Sequence, residues 1–170
     1  MTSPFQIARR NPSGQLDLSC YISTSKIVVN NDGSFDNYGR WLDINDGLSF
    51  RIAKGLDEAA VSFRREEVTN PFLEGAYVVN ALRENMHLNL EVRAIGETHM
   101  DMVDTLRKLT DALGQVSFKL QVTVDNAQWT YNCYASDYSV LMPPEYLHAR
   151  MATVKAQILH HPVVAVNEVI

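Results

Sequence analysis

The feature that most constrains the fold of this chain is a strict alternation of apolar and polar side chains that begins at Val116. A period of two is typical of a β-strand with one face buried and the other in water. After a turn predicted at Asp125-Asn126-Ala127, the alternation resumes on a return strand, which predicts a β-hairpin. The apolar positions of the two strands are Val116, Phe118, Leu120, Val122, Val124, Trp129, Tyr131 and Cys133.

Shorter patterns predict further strands. Residues 48–52, 77–82 and 87–95 are predicted strands, and Leu16 to Val29 is predicted to hold two short ones. In the 87–95 segment the apolar residues again occupy every second position, which indicates one buried face. Clusters of Gly, Pro, Asn and Asp separate these segments. The predicted turns and breaks are Asn30–Ser34, Asn45–Gly47, Gly55–Asp57, Asn70–Gly75 and Met142–Glu145.

One segment has the period of an α-helix. Its apolar residues recur every three or four positions, which places them on one helical face. Thr98 is suited to cap the first turn and Gly114 to end the last one. The sequence therefore predicts a helix from His99 to Leu113. The residues of its apolar face are Met102, Leu106, Leu109 and Leu113.

Two segments are less regular. Residues 147–160 fit both helical and strand spacing, and Pro162 with its β-branched neighbours favours the strand by a small margin. Residues 1–15 mix Ser, Pro, Asn and Gly with two Arg, and we expect them to form an N-terminal arm or loop outside the core.

The order of these elements predicts the fold class. The chain has 170 residues, of which 46% are hydrophobic, which is enough for a single core without disulfides or metals. Many antiparallel strands with a single helix between two of them are typical of an α+β, mainly-β protein. We predict an antiparallel β-sandwich with one flanking α-helix, built as a single domain over residues 1–170.

Charge argues against nucleic-acid binding. Fifteen Lys and Arg against 20 Asp and Glu give a net charge of −5. Binding to the phosphate backbone requires several basic residues on one surface. The pairs Arg9-Arg10 and Arg64-Arg65 are isolated, and Glu66-Glu67 follows the second at once. No long apolar run and no apolar signal core after Met1 are present, so we expect no membrane span and folding in a cytoplasm.

The sequence offers few patterns that chemistry requires. It contains neither a Gly-rich phosphate loop nor a G-x-S-x-G elbow. Asn30-Asn31-Asp32-Gly33 departs from a calcium loop because Gly39 stands where the loop needs Glu. His160 and His161 are strand neighbours that point to opposite faces, so we do not expect them to share a metal ion.

The other titratable residues have structural explanations. His99, Asp101 and Asp104 fit the positive end of the predicted helix. Glu66, Glu67 and Glu84 form no recognisable acid–base pair. Cys20 and Cys133 are far apart and outside any CxxC pair, which favours two reduced, partly buried thiols over a bridge. We therefore predict no catalytic, metal-binding or cofactor-binding residue, no cofactor, and no enzyme.

Two aromatic residues leave an alternative open. Trp129 and Tyr131 share a strand face with Cys133, whereas Tyr134 points the other way. Aromatic side chains on a sheet can stack on sugars or bases. More often they belong to a core or a subunit interface. A small β-sandwich binding module for carbohydrate or a host surface therefore stands as the alternative function.

A resemblance to a known family rests on a series of segments. In chain order, the segments are Glu74–Asn85, the strand ending Ile95-Gly96, the helix ending at Gln115, the strand Val116–Leu120, the segment Trp129–Tyr138 and the closing Ile158–Pro162. Together they resemble the minor tail proteins of long-tailed bacteriophages (siphoviruses) of actinobacteria, in the tail-tube and distal-tail group. The resemblance covers residues 70–165.

The resemblance implies a function. It implies a single tail-tube-like domain in a structural virion protein that forms rings, commonly hexameric, around the channel through which DNA leaves. Partners would be further copies of the chain and other tail proteins, with no membrane and no specific binding of DNA. The location would be the virion tail, assembled in the host bacterial cytoplasm. It brings no catalytic residues, and leaves open whether the subunit belongs to the tube or to the distal tail. An arm at residues 1–15 or 30–47 could reach a neighbouring ring.

Overall fold

The computed structural model describes residues 3–24, 27–29, 35–37, 41–58, 63–69, 71–72, 74–141 and 150–168. Strands predominate, and every pairing between them is antiparallel, as the sequence predicts. The strands are β1 Ser19–Ser23, β2 Ile27–Val29, β3 Phe35–Asn37, β4 Trp41–Asp43, β5 Phe50–Glu58, β6 Phe63–Thr69, β7 Ala76–Arg83, β8 Met86–Ile95, β9 Ser117–Val124, β10 Ala127–Tyr134, β11 Asp137–Leu141 and β12 Met151–Glu168. The helices are α1 Pro4–Ile7 and α2 His99–Leu113.

Eight strands form the main sheet. Their order is β4-β1-β9-β10-β12-β8-β5, and β11 pairs with β12 beside this path. The two outermost strands, β4 and β5, are joined by the short segment 44–49 and therefore lie close together. The sheet is nearly closed, which agrees with the predicted sandwich-like fold. Two further two-stranded sheets are β2 with β3 and β6 with β7.

The predicted hairpin of β9 and β10 forms the centre of the sheet. Asp125 adopts a φ of 52°, and the turn brings Val124 opposite Ala127. The alternating apolar side chains of both strands face the core, as the period of two requires. The buried members are Phe118, Leu120, Val122, Val124, Trp129, Tyr131 and Cys133. Val116 precedes β9 and is exposed.

The helix has the bounds that its sequence predicts. The Thr98 hydroxyl accepts a hydrogen bond from the Asp101 N–H (3.2 Å), and the helix ends before Gly114. Met102, Leu109 and Leu113 are buried, so the predicted apolar face is the face that packs. The helix lies against β8, β12 and β11.

The ambiguous last segment is a strand. β12 spans Met151–Glu168, and residues 147–149 lie outside the described residues. Its first half pairs with β8 from Met151 opposite Ile95 to His160 opposite Met86. Its second half pairs with β10, where the register shifts between Cys133 opposite His160 and Tyr131 opposite Val164. On the edge opposite β8, the first half of β12 pairs with β11, so β10 and β11 together follow one edge of β12 and β8 follows the other edge as far as His160.

A buried asparagine joins the two ends of the sheet. The Asn45 side-chain amide donates to the carbonyl oxygens of Leu16 (2.8 Å) and Leu18 (2.7 Å), and its oxygen accepts from the Ile52 N–H (3.0 Å). Asn45 therefore connects the chain before β1 with β5. Buried polar groups of this kind are stable only when hydrogen-bonded. The predicted turn Asn45–Gly47 is confirmed, with Gly47 at a φ of 80°.

Two sequence predictions are wrong in this region. Residues 1–15 are not wholly outside the core, because Pro4 begins α1 and Phe5 is only 3% exposed. Gly55–Asp57 is not a turn but part of the continuous strand β5, with register shifts on both sides of Gly55. The two errors have one cause. A side chain at Gly55 would overlap the Phe5 ring, so the glycine is needed for packing and not for a turn.

Three other predicted features fall partly or wholly outside the described residues. These are the turn at Asn30–Ser34, the break at Asn70–Gly75 and the break at Met142–Glu145.

Replacing Phe5 tests its place in the core. We expect Phe5→Ala to lower the free energy of unfolding by about 3 kcal/mol, because it removes a buried aromatic ring and leaves a cavity. Ile7→Ala is the matched control, since Ile7 lies on the same short helix and is 48% exposed. Urea unfolding of both variants would contradict this packing if the two losses were equal.

Replacing Asn45 tests the connection between the sheet ends. We expect Asn45→Ala to cost about 3 kcal/mol, because two carbonyl oxygens and one N–H lose their buried partners. Asn126→Ala serves as the control, since Asn126 is exposed and bonds only at the surface. Thermal and urea unfolding measure the difference, and a loss no larger than that of the control would refute the role of Asn45.

Candidate functional site

The most exposed element of the described structure is the ribbon formed by β6 and β7. The two strands pair with each other from Phe63 opposite Arg83 to Thr69 opposite Ala76. Residues 64–69, 74–76, 78 and 80–83 are all exposed, so both faces of the ribbon meet solvent. In the chain, β6 follows β5 and β7 precedes β8. The ribbon therefore lies beyond the end of the β5–β8 pair of the main sheet.

The two strands of the ribbon differ in chemistry. β6 carries four charged residues in a row, Arg64 to Glu67, whereas β7 has no charge between Ala76 and Leu82. Val68, Val78 and Leu82 are each more than half exposed, at 52%, 56% and 59%. An isolated two-stranded hairpin is at best marginally stable in water. Exposed apolar side chains on such an element are typical of a protein–protein contact.

The second open surface is the outer face of four neighbouring strands. Lys54, Glu91 and Lys155 lie side by side across β5, β8 and β12, because Glu91 is opposite both lysines in the register. Asp137 and Ser139 of β11 extend this face, and together these residues line a shallow trough of about 590 Å³. Small-molecule sites are usually enclosed and largely apolar. An open trough with mixed charges fits contact with a polar surface better.

The histidines and cysteines singled out by the sequence belong to the core or the surface. His160 is buried and its ring lies edge-on to the Tyr131 ring, with centroids 5.0 Å apart, whereas His161 is exposed. The prediction that the two histidines point to opposite faces is confirmed. Cys20 and Cys133 are both free and buried.

Burial also disfavours the thiolate form of both cysteines. Burial raises the pKa of the Cys20 thiol well above its ordinary value, and the negative charge of Asp43 raises it further. Burial raises the pKa of Cys133 to about 12, against a smaller opposing effect of a backbone hydrogen bond at Leu120. Since the thiolate is the reactive form, neither side chain is suited to nucleophilic or redox chemistry.

The aromatic residues proposed for sugar stacking are in the core. Trp129 is 7% exposed and Tyr131 is 1% exposed, while Tyr134 is exposed on the opposite face. A stacking platform needs an accessible ring face, so Trp129 and Tyr131 cannot provide one. The alternative function therefore loses the two residues on which it was based.

The acidic candidates are dispersed. Asp101 and Asp104 lie in the first turns of α2 near His99, while Glu66 and Glu67 lie in the ribbon, where the register shifts between them. Glu84 lies in the connection between β7 and β8. Among the described residues, no group of three or more His, Cys, Asp or Glu side chains is placed to hold a metal ion. Within the same ranges, no helix is long and apolar enough to cross a membrane.

Sequence reasoning missed the ribbon and the strand β11. Residues 77–82 were correctly predicted as a strand, but nothing in their apolar character showed that the strand leaves the main sheet. The neighbouring segment could have indicated the ribbon. Arg64 to Glu67 are all charged, so this segment lacks the alternation of apolar and polar residues that a strand with one buried face shows. A strand without alternation, next to an uncharged strand, is typical of a ribbon exposed on both faces.

The fold belongs to the class of nearly closed antiparallel sheets with one flanking helix. Comparisons with known proteins show which solved structures share this fold. No family model and no curated protein sequence matches the chain. Among solved structures, it is similar to the Dit (gp 19.1) protein of phage SPP1, described as a paradigm of the hub adsorption apparatus in phages that infect Gram-positive bacteria. That match has a TM-score of 0.53 and 9% identity, over 85% of this chain and 50% of the Dit chain.

A second similar structure comes from the phage P2 baseplate in its activated conformation with calcium. The TM-score is 0.53 and the identity 10%, over 83% of this chain and 44% of the baseplate chain. This chain thus spans 50% or less of the length of each of these proteins. At such low identity, the likeness establishes a common fold.

The two thiols provide a test of the core around Cys20 and Cys133. We expect Cys133 to react with an aromatic disulfide reagent about a thousandfold more slowly in the folded protein than after unfolding, because its pKa is raised by burial. Ala135→Cys adds an exposed thiol outside the ribbon and is the positive control. Rapid reaction of the native cysteines in the folded chain would contradict the burial.

Proposed function

We propose that this chain is a structural protein of a bacteriophage tail. It assembles into rings, commonly of six copies, in the tail tube or at the distal end of a long-tailed phage of the kind that infects actinobacteria. Two independent arguments support this: the order of sequence elements resembles minor tail proteins, and the fold is shared with the SPP1 Dit protein and a P2 baseplate chain. The chain acts as one domain over residues 1–170 and is not an enzyme.

The observation that carries this proposal is the β6–β7 ribbon. A hub or tube subunit must present surface that only neighbouring copies can cover. The ribbon presents apolar side chains at Val68, Val78 and Leu82 on strands with both faces in solvent. A two-stranded ribbon is marginally stable by itself, and burial of its apolar side chains against a neighbouring copy stabilises it.

Partners and location follow from the same proposal. The partners are further copies of this chain and other tail proteins, and the location is the virion tail, after assembly in the host bacterial cytoplasm. A net charge of −5 suits a ring through which DNA passes without specific binding, because an acidic surface repels phosphate.

The oligomeric state tests the proposal. We expect the purified protein to form rings or short tubes, seen by negative-stain microscopy, with a mass in light scattering that rises with concentration to about six copies per ring. A strictly monomeric protein, both alone and with the other tail proteins of the same phage, would contradict the proposal.

Removing the ribbon separates assembly from folding. In the variant, residues 63–83 are replaced by a short Gly-Ser linker that joins β5 to β8, which are already antiparallel neighbours. We expect circular dichroism and urea unfolding to show a folded body, while light scattering shows loss of assembly, because the body retains its core and loses only exposed surface. Unchanged assembly of this variant would show that the ribbon is not the contact surface.

A further inference from the structure

The antiparallel ladder between β8 and β12 opens at a defined point. It runs from Ile95 opposite Met151 to Met86 opposite His160. Beyond this point β12 is paired only with β10, on the edge that β11 occupies in its first half, and the other strand continues through residues 84–85 into β7. Two strands that are paired over ten residue positions thus separate, and each carries on with a described neighbour on one side only.

The separation coincides with an irregularity in β12. Pro162 has no N–H to donate to a neighbouring strand. The Val163 N–H donates to Nδ1 of the His161 ring (3.2 Å), so the backbone around the proline bonds locally. The register with β10 resumes at Val164. Val164–Glu168 therefore have no pairing with β8 or β7, and β7 lacks the strand that accompanies β8.

The separation leaves two sheet edges without a partner strand among the strands that the structure describes. One is the edge of β7 opposite β6, over Ala76–Arg83, and the other is the edge of β12 opposite β10, over Val164–Glu168. Each edge presents a row of backbone N–H and C=O groups. Exposed edges of this kind are templates for pairing with another chain, and native proteins normally block them.

The chemistry of these edges distinguishes them from other outer strands. β7 is uncharged from Ala76 to Leu82, and the β12 edge begins with Val164-Ala165-Val166. By contrast, β6 carries four successive charges, a feature that blocks edge pairing. Backbone groups of β5 already have partners before β1, because the Arg10 guanidinium donates to the Ala53 carbonyl oxygen (2.9 Å) and the Leu16 N–H donates to the Ile52 carbonyl oxygen (3.5 Å).

We propose that the β7 edge of one copy pairs, backbone to backbone, with the Val164–Glu168 edge of the next copy. This inference rests on the proposed function and names the contact that would build the ring. Because the two edges are different surfaces of the same chain, the association is head-to-tail, and head-to-tail contacts generate closed rings or helical filaments. The contact is a case of β-strand addition, in which main-chain hydrogen bonds supply the affinity.

Side chains next to both edges are suited to the same contact. Val78 and Leu82 on β7 are exposed, as are Val163 and Val166 on β12, at 64% and 45%. Pairing of the two edges brings β-branched and aliphatic side chains together across the new ladder, where such pairs stabilise a sheet. The ribbon thereby gains the third strand that a stable sheet requires.

Cross-linking between two single-cysteine variants tests the proposal. Ala81→Cys lies on β7 and Ala165→Cys on the β12 edge, and both positions are exposed. A short bifunctional thiol reagent tolerates a slip of one residue in register. We expect a covalent dimer when the two variants are mixed and none from either variant alone, because a head-to-tail contact always joins the two different edges. The wild-type chain, with both thiols buried, is the blank.

The outcomes separate this proposal from the proposed function. Rings in the microscope without a cross-link in the mixture would overturn the edge pairing and leave the ring intact. A cross-link in either variant alone would indicate contact between like edges and would also overturn it. A protein that remains monomeric and gives no cross-link, both alone and with the other tail proteins of the same phage, would overturn both.

A charged residue at the edge provides a second test. Val78→Lys places a charge on β7, and Val116→Lys, at another exposed valine outside the ribbon and outside both edges, is the control. We expect Val78→Lys to raise the midpoint concentration of assembly about tenfold or more, since a lysine on an edge strand opposes pairing, and Val116→Lys to change it much less. Far-ultraviolet circular dichroism confirms that both variants fold. An equal effect of the two substitutions would contradict the choice of β7.

Discussion

The rest of the structure depends on the pairing of β12. One edge of this strand is paired with β11 in its first half and with β10 in its second half, whereas the other edge pairs with β8 only as far as His160. The register with β10 shifts around Pro162, which has no N–H to donate to a neighbouring strand. As a result β8 is covered by β12, whereas β7 pairs only with β6 among the described strands.

The closing of the sheet depends on a second, polar constraint. The ends of the sheet are not joined by a regular ladder, and Asn45 connects them through side-chain hydrogen bonds to Leu16, Leu18 and Ile52. Phe5 packs on Gly55 of β5 and is almost fully buried. The hydrophobic faces of β9 and β10 can then be covered on all sides, which gives the body a stable core without help from the ribbon.

This division assigns different tasks to different parts of the chain. The buried parts hold the groups that carry chemistry in many enzymes, namely two thiols and His160, in surroundings that keep the thiols protonated. The exposed parts offer strand edges, apolar side chains and a shallow charged trough. The chain shares its fold with the SPP1 Dit protein and a P2 baseplate chain.

Local pattern was enough to predict many individual elements. The hairpin of β9 and β10, the helix His99–Leu113 and the buried face of β8 follow from periods of 2 and 3.6, which depend only on neighbouring residues. The burial of Cys133 and the opposite directions of His160 and His161 follow from the same alternation. These features could be read from the sequence because each is fixed by backbone geometry within one element.

Tertiary structure decided how those elements meet. Gly55 was predicted as a turn and Phe5 as part of an arm, because a glycine that makes room for a ring 50 positions away looks the same in sequence as a glycine in a turn. The same limit applies to β7, whose apolar residues suit a buried strand and lie instead on an exposed ribbon. The sequence by itself determined which segments form strands and helix. Which edges are paired and which are left open was decided by contacts between distant residues, since pairing across a sheet depends on the position of β12 and not on the local pattern of either partner.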